Sequence, residues 1–391
     1  MAPQAFAPEN QIVSTPSQRS FFRRYLLPGF VFQSVVIAGG YGTGRELVEF
    51  FLTQGPRGGL MAMLLVSTVI WSLTCAVTFD FARRFSTYDY RTFFRRLLGG
   101  RWWVAYEAAY LAFLMLVLAV IAAAAGSILE ETFGISYAAG VLGMIAAIGY
   151  LVFRGSRTIE RFFAGWSFVL YAVFILFFIL CFVSFGGEIS ASFASVPAGR
   201  GWLVAGVRYA AYNLATIPGL LFVMRHVGTR REAVSAGLLA GPIAIIPGLL
   251  FYLAMAGQYP DILDRTVPAN ALLETLGMRW FQLAFQLALF GTLIETGAGM
   301  IHAVNERVAA VYARGQEKMP AGLRTGIGVS LLAGGALIAQ FGLIDLIARG
   351  YGTMTWVFLA VYVLPVLTIG VWRLVRAGPT SPSTPRQATL S

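Results

Sequence analysis

Glu295 is the residue whose setting most constrains its chemistry. It lies midway along the apolar stretch 279–312, too deep for its side chain to reach water at either end. An ionised, unpaired carboxylate there is very unfavourable. It must be protonated, paired or bound to a cation. Thr292 and Thr296 share its helix face at i,i+3 and i,i+4 spacing. The three side chains make an oxygen-rich patch for Na⁺ or a protonatable site for H⁺. The alternative is a structural hydrogen bond to a broken backbone. His302 and Glu306 continue the same face, as a proton relay or as a wetted vestibule.

Two further chemical features are interruptions of apolar stretches. The first is Ala38-Gly39-Gly40-Tyr41-Gly42-Thr43-Gly44. Its four glycines weaken a helix by about 1 kcal/mol each relative to alanine. A new helix beginning near Thr43 and Gly44 would turn free amides and a positive dipole end toward a cavity, which suits a carboxylate. Carbonyls around Val36 to Gly40 would suit a cation. Glycine-mediated helix packing is the plainer reading. Arg45, Glu46 and Glu49 follow at once. Arg45 and Glu49 can pair on one helix face, while Glu46 points elsewhere and stands nearest the break. Charges inside membrane spans default to functional candidates.

The second interruption lies in Arg208-Tyr209-Ala210-Ala211-Tyr212-Asn213-Leu214-Ala215-Thr216-Ile217-Pro218-Gly219. Pro218 removes a backbone donor and clashes with the preceding turn. Asn213 and Thr216 can line the freed backbone, and Tyr209 and Tyr212 can gate the outer side of a pocket. Arg208 is expected to pair with Glu46 or Glu49, or to attract an acidic ligand. A simple proline kink is the alternative. Asp80 closes the inner end of its stretch, where a pair with Arg23 or Arg24 would form an inner gate. A matched pair of broken spans is the best sequence pointer to a transporter's binding site.

The elements that must carry these residues are membrane helices. The 391-residue chain is 58% hydrophobic and only 12% charged, against about 25% charge in soluble domains. Its mean hydropathy is +0.72. Ten spans are predicted: 22–54 (broken), 58–84, 103–130, 137–153, 157–185, 202–227 (broken), 231–257, 279–312, 321–345 and 350–376. A short amphipathic segment is expected at 270–277. Residues 1–20 and 377–391 are polar and read as disordered cytoplasmic tails. Cys75 and Cys181 both lie in apolar spans and read as buried packing residues.

The net charge of +11 does not indicate nucleic acid, because the basic residues sit in short loops beside apolar spans. With the N-terminus inside, 22 of the 29 basic residues fall on the inner side, as cytoplasmic loops require. Both termini are then cytoplasmic. Ten spans divide as five plus five, residues 21–185 and 201–376, each half opening with a broken span. An odd number per half makes the halves inverted repeats.

This all-α membrane arrangement resembles the amino acid–polyamine–organocation superfamily, whose five-plus-five inverted repeat is that of the LeuT-type transporters. Residues Ala38 to Glu46, with Leu47, Phe50 and Phe51, look like the Gly-Ala-Gly-Phe-Ala-Ser-Gly-Gln-Glu run of YkvI-like bacterial membrane proteins; Arg45 replaces the usual glutamine. The resemblance implies a substrate between spans one, three, six and eight. It also implies a sodium site shared by spans one and eight, carried here by carbonyls near Val36 and Gly39 with Thr292, Glu295 and Thr296. The carboxylate is a departure from the hydroxyl-bearing residues usual there. A lysine in span five would mark a proton-linked variant, and the one lysine of the chain, Lys318, lies elsewhere.

The expectation is a secondary active transporter of the bacterial inner membrane. Its partners would be the lipid bilayer and a small carboxylate-bearing solute, above all an amino acid, coupled to Na⁺ or H⁺. No cofactor is expected beyond Na⁺. An ion channel and a divalent-metal transporter are the other readings. An enzyme is not expected: His226 and His302 form no metal motif, and no serine or cysteine has a base beside it.

Overall fold

A computed structural model describes residues 21–154, 156–314 and 319–377. The tail predicted for 1–20 lies outside these residues, as does the tail predicted for 377–391 except its first residue. The described chain is helical almost throughout. It opens with α1, Leu27–Val36, the single turn α2, Gly39–Gly42, and α3, Arg45–Phe50. A left-handed Gly55 (φ 73°) then starts α4, Gly55–Met61, which leads through π turns into α5, Thr68–Phe85. The short amphipathic α6, Tyr90–Leu98, is capped by Asp89, which accepts from the Thr92 amide at 3.0 Å. After it come α7, Trp102–Phe133, α8, Tyr137–Arg154, and α9, Ser156–Ser195.

The second half begins with α10, Trp202–Asn213, which passes directly into a 13-residue 3₁₀ segment, Leu214–His226, containing Pro218. Then α11, Arg230–Ala256, starts at a capping box in which Thr229 and Glu232 satisfy each other's amides. A small helix, α12, Pro268–Leu276, precedes α13, Arg279–Arg314, and α14, Ala321–Ala339. The last run, α15, Leu343–Arg376, mixes α and π turns.

Among the described residues, seven helices are long and apolar enough to cross a membrane, and Tyr137–Phe153 is a shorter apolar one. Large apolar side chains such as Leu65, Val183, Leu287, Trp356 and Val375 point outward, as a lipid-facing surface requires. Two boundaries differ from the sequence expectation. Helix α9 continues to Ser195 instead of stopping near 185. The hydroxyls of Ser190 and Ser195 donate to the carbonyls of Gly186 and Ala191 within their own helix. The ninth span ends at Ala339, because Gly342 turns left-handed (φ 79°) and starts the next run early.

The packing separates into two groups. Helices α1, α5, α10 and α11 pack on one another; α7, α8, α13 and α14 form the other group, with α9 lying against both α11 and α13. Small residues set the closest approach. A Cβ on Gly237 of α11 would stand 2.6 Å from the backbone carbon of Cys75, and one on Gly241 would stand 3.0 Å from the Ser72 amide. In lipid, such small-residue contacts are what bring helices together. Helix α7 is the inner column, with an unbroken buried run from Leu116 to Ile128.

Candidate functional site

The backbone between α1 and α2 is not helical. Ile37 (φ −76°, ψ 90°) and Ala38 (φ −123°, ψ −167°) are extended. The single turn α2 follows, and Gly44 (φ 81°) reverses the chain into α3. Gly39 allows the turn to press between α7 and α13: a Cβ there would lie 3.2 Å from both Ile121 Cα and Leu293 Cδ2. Thr43 donates its hydroxyl to the Gly40 carbonyl at 3.0 Å, and its own carbonyl accepts from the Ala269 amide at 2.9 Å. That second bond fastens the break to α12.

Beside the break lies a cavity of about 480 Å³. Its walls are Ser34 and Val35 of α1, Ile37 of the extended link, Tyr110 of α7, Leu170 and Tyr171 of α9, Thr216 to Phe222 of the 3₁₀ segment, and the face of α13 from Thr292 to Arg307. Ser34, Phe222 and Ala303 are exposed, so the cavity opens at the surface of the protein. Along α13 its lining runs from Thr292 to Arg307, toward the end of that helix which the loop charges predict to be cytoplasmic.

Glu295 is half-buried on the cavity wall between Thr292 and Thr296. None of the ion pairs among the described residues involves it. The Thr292 and Thr296 hydroxyls donate to the carbonyls of Ala288 (3.0 Å) and Thr292 (2.9 Å), which leaves their lone pairs as acceptors. Ile37 lines the same cavity, while Val36 is buried beside it. Among the described residues, no group of three or more His, Cys, Asp or Glu side chains could hold a metal ion.

Glu46 lies away from the cavity. It is 2% exposed, and its Oε1 accepts a hydrogen bond from the Tyr212 hydroxyl. Tyr41, Tyr209 and Tyr212 are all fully enclosed. Tyr212 stacks on Tyr351 with ring centroids 4.9 Å apart, and Tyr209 packs on Phe51 at 4.6 Å. These rings form a solid layer beyond the break. The two tyrosines therefore seal the pocket from the far side rather than line it. Asn213 is turned inward and donates to the Tyr209 carbonyl at 3.0 Å, whereas Thr216 reaches the cavity.

Arg45 pairs with Glu49 at 3.1 Å, the spacing read from the sequence, and also donates to the carbonyls of Leu263 (2.7 Å) and Arg265 (3.1 Å). It clamps the loop before α12 onto the start of α3. Two expectations are corrected. Arg208 pairs with neither Glu46 nor Glu49. It lies over the Phe50 ring at 5.3 Å and donates to the Ala348 carbonyl at 3.4 Å, because the aromatic layer separates it from both carboxylates. Asp80 pairs with Arg83 (2.8 Å) and Arg230 (3.3 Å), not with Arg23 or Arg24. Arg24 is held instead by Glu232 at 2.9 Å. These pairs tie the turn before α1, and α5, to the start of α11.

Arg307 was counted in the sequence only as a basic residue of the inner side. It lines the cavity, its guanidinium lies over the rings of Tyr110 (4.5 Å) and Tyr90 (5.0 Å), and its buried Nη1 has no hydrogen-bond partner. The signal was spacing: Glu295, Gly299, Ala303 and Arg307 stand at successive i,i+4 positions, a row that winds along the cavity wall past Thr296 and Met300. Glu306, which follows Glu295 along its face at i,i+11, pairs with Arg324 at 2.6 Å.

No family model matches the chain. It is similar to the uncharacterized membrane protein YkvI of Bacillus subtilis (strain 168), 26% identical over 282 residues, which are 71% of this chain and 79% of that protein. The YkvI-like resemblance read from the sequence is borne out by that match. In structure the chain is similar to MhsT in complex with L-phenylalanine, with TM-score 0.56 and 15% identity over 92% of this chain and 90% of that one. A weaker likeness is to a Na⁺-coupled sialic acid symporter in a substrate-bound outward-open state, with TM-score 0.49 and 14% identity over 88% and 87% of the two chains. Neither is an enzyme. The likeness to MhsT establishes a LeuT-type fold for this membrane protein.

Proposed function

We propose that the protein is a secondary active transporter working by alternating access. It moves a small carboxylate-bearing solute, above all an amino acid, coupled to Na⁺ or H⁺. The observation that carries this reading is the cavity at the Ile37–Ala38 interruption, open at one end and sealed at the other by the Tyr209, Tyr212 and Tyr351 layer. A binding space reachable from a single side is what alternating access requires. The L-phenylalanine held by MhsT supports an amino acid as cargo.

In this reading, ten spans form two inverted halves, residues 21–185 and 201–376, with the first and sixth spans broken. The group of α1, α5, α10 and α11 rocks against the group of α7, α8, α13 and α14. Ile37, Thr216 and the cavity face of α13 contact the solute, with the Gly39 to Gly44 turn packed behind them, and Glu295, Thr292 and Thr296 hold the coupling ion on the same wall. Arg307 receives the carboxylate on its way to the open end, where its guanidinium can take two oxygens at once. The protein lies in the bacterial inner membrane with both termini in the cytoplasm, so that the cavity faces inward.

Purified protein screened for thermal stabilisation by amino acids, with and without Na⁺ and across pH, tests the reading, because a ligand bound to the folded state raises apparent stability. An amino acid that stabilises the protein, and whose uptake into proteoliposomes follows an ion gradient, is the expected result. Single-channel currents in place of saturable uptake would overturn it.

A further inference from the structure

Glu46 is enclosed without a counter-charge. The Tyr212 hydroxyl donates to its Oε1, and the Asn213 side-chain amide is the other donor beside it. Arg45, its neighbour in sequence, is engaged by Glu49 and by two carbonyls of the α12 loop. Arg208 is held over Phe50 and by the Ala348 carbonyl. The other titratable groups facing Glu46 are phenols: Tyr41 from α2, Tyr209 and Tyr212 from α10, and Tyr351 from α15. A buried carboxylate with neither a cation nor a full set of donors is strongly disfavoured in the ionised form.

The packing decides what neutralises it. A Cβ on Gly40 would stand 2.8 Å from Oε2 of Glu46 and 3.1 Å from Ile347. The space beside that oxygen cannot admit even a methyl group. A hydrated sodium ion, or a substrate ammonium, needs at least as much room. A proton needs none. The hydroxyls of Tyr41 and Tyr209 are buried and have no hydrogen-bond partner, so two further donors stand ready for the ionised form once the layer loosens.

We propose that Glu46 carries a proton on Oε2 in this closed-layer conformation, and that it is a second exchangeable carboxyl, reached from the side of the membrane opposite to Glu295. The carboxylate takes one proton from hydronium when the outer side is open, an O–H bond forming on Oε2 as one in hydronium breaks, and gives it back to water on reopening. The protonation itself follows from the packing, whereas its use in coupling rests on the transport reading above.

Infrared spectroscopy of the purified full-length protein near neutral pH tests this without any substrate. A carboxylic-acid C=O stretch that shifts on deuteration is expected, lost in Glu46→Gln and kept in Glu295→Gln. In Tyr212→Phe the same band should move to higher frequency, since its acceptor loses a hydrogen bond. Added Na⁺ should leave it unchanged. A band that survives in Glu46→Gln and is unmoved in Tyr212→Phe, or one abolished by Na⁺, would overturn the proposal. Because no transport is measured, that failure would leave the transport reading standing, while absence of saturable uptake would leave the protonation standing.

Discussion

Gly40 faces the carboxyl of Glu46 with no room for a side chain between them: a Cβ there would stand 2.8 Å from Oε2. The glycine joins the break to the only buried carboxylate of α3. Gly40→Leu is expected to push α2 and α3 apart, at a cost of about 1–3 kcal/mol for overpacking, and to abolish ligand-induced thermal stabilisation. Unchanged ligand affinity in a folded Gly40→Leu variant would place the solute elsewhere.

Glu295→Gln keeps the size of the side chain and removes its charge and its exchangeable proton. Uptake driven by an ion gradient should fall at least tenfold, with the melting temperature nearly unchanged, since Glu295 makes no ion pair that the substitution would break. Uptake at the wild-type level under every Na⁺ and pH gradient would remove Glu295 from the coupling step.

Arg307→Lys retains a positive charge but loses the planar fork and its stacking on Tyr90 and Tyr110. A hydrogen bond to a charged group contributes about 1.5–3 kcal/mol. KM for the carboxylate-bearing solute should therefore rise by about tenfold or more, with kcat less affected. A kcat effect alone would make Arg307 a part of the moving machinery and not a contact of the solute.

Gly237→Val tests the packing of α5 on α11 apart from any site. Its side chain would enter the backbone of Cys75 and Ala76, and a rigid backbone cannot give way as a flexible side chain can. The thermal midpoint should fall by several degrees. Gly143→Ala in α8, where nothing lies within 4 Å of an added Cβ, should leave it unchanged. Equal midpoints for the two variants would contradict the close approach of α5 and α11.

The polar anatomy was legible where it depended on spacing along one helix. Arg45 and Glu49 pair as their i,i+4 separation implied, and Thr292, Glu295 and Thr296 share one wall of a cavity with Ile37. What depended on contacts between distant helices was not legible. Arg208 and Asp80 each had several partners within reach in the sequence, and which one each meets follows from the rotation of helices packed through small residues. Arg307 was overlooked because a basic residue near the end of a span serves topology as well as binding. The reach of α9 to Ser195 was hidden by serines and glycines that read as loop; the serine hydroxyls turn back on their own helix.

The winding of Leu214–His226 has a consequence for length. A 3₁₀ helix rises about 2.0 Å per residue against about 1.5 Å for an α-helix, so this stretch of 13 residues is about 6 Å longer than the same residues coiled as α. Its stretched coil carries Arg225 and His226 that much farther from Asn213. Taking up the slack would draw them back along the axis, a telescoping stroke on the wall that Thr216 and Phe222 give to the cavity.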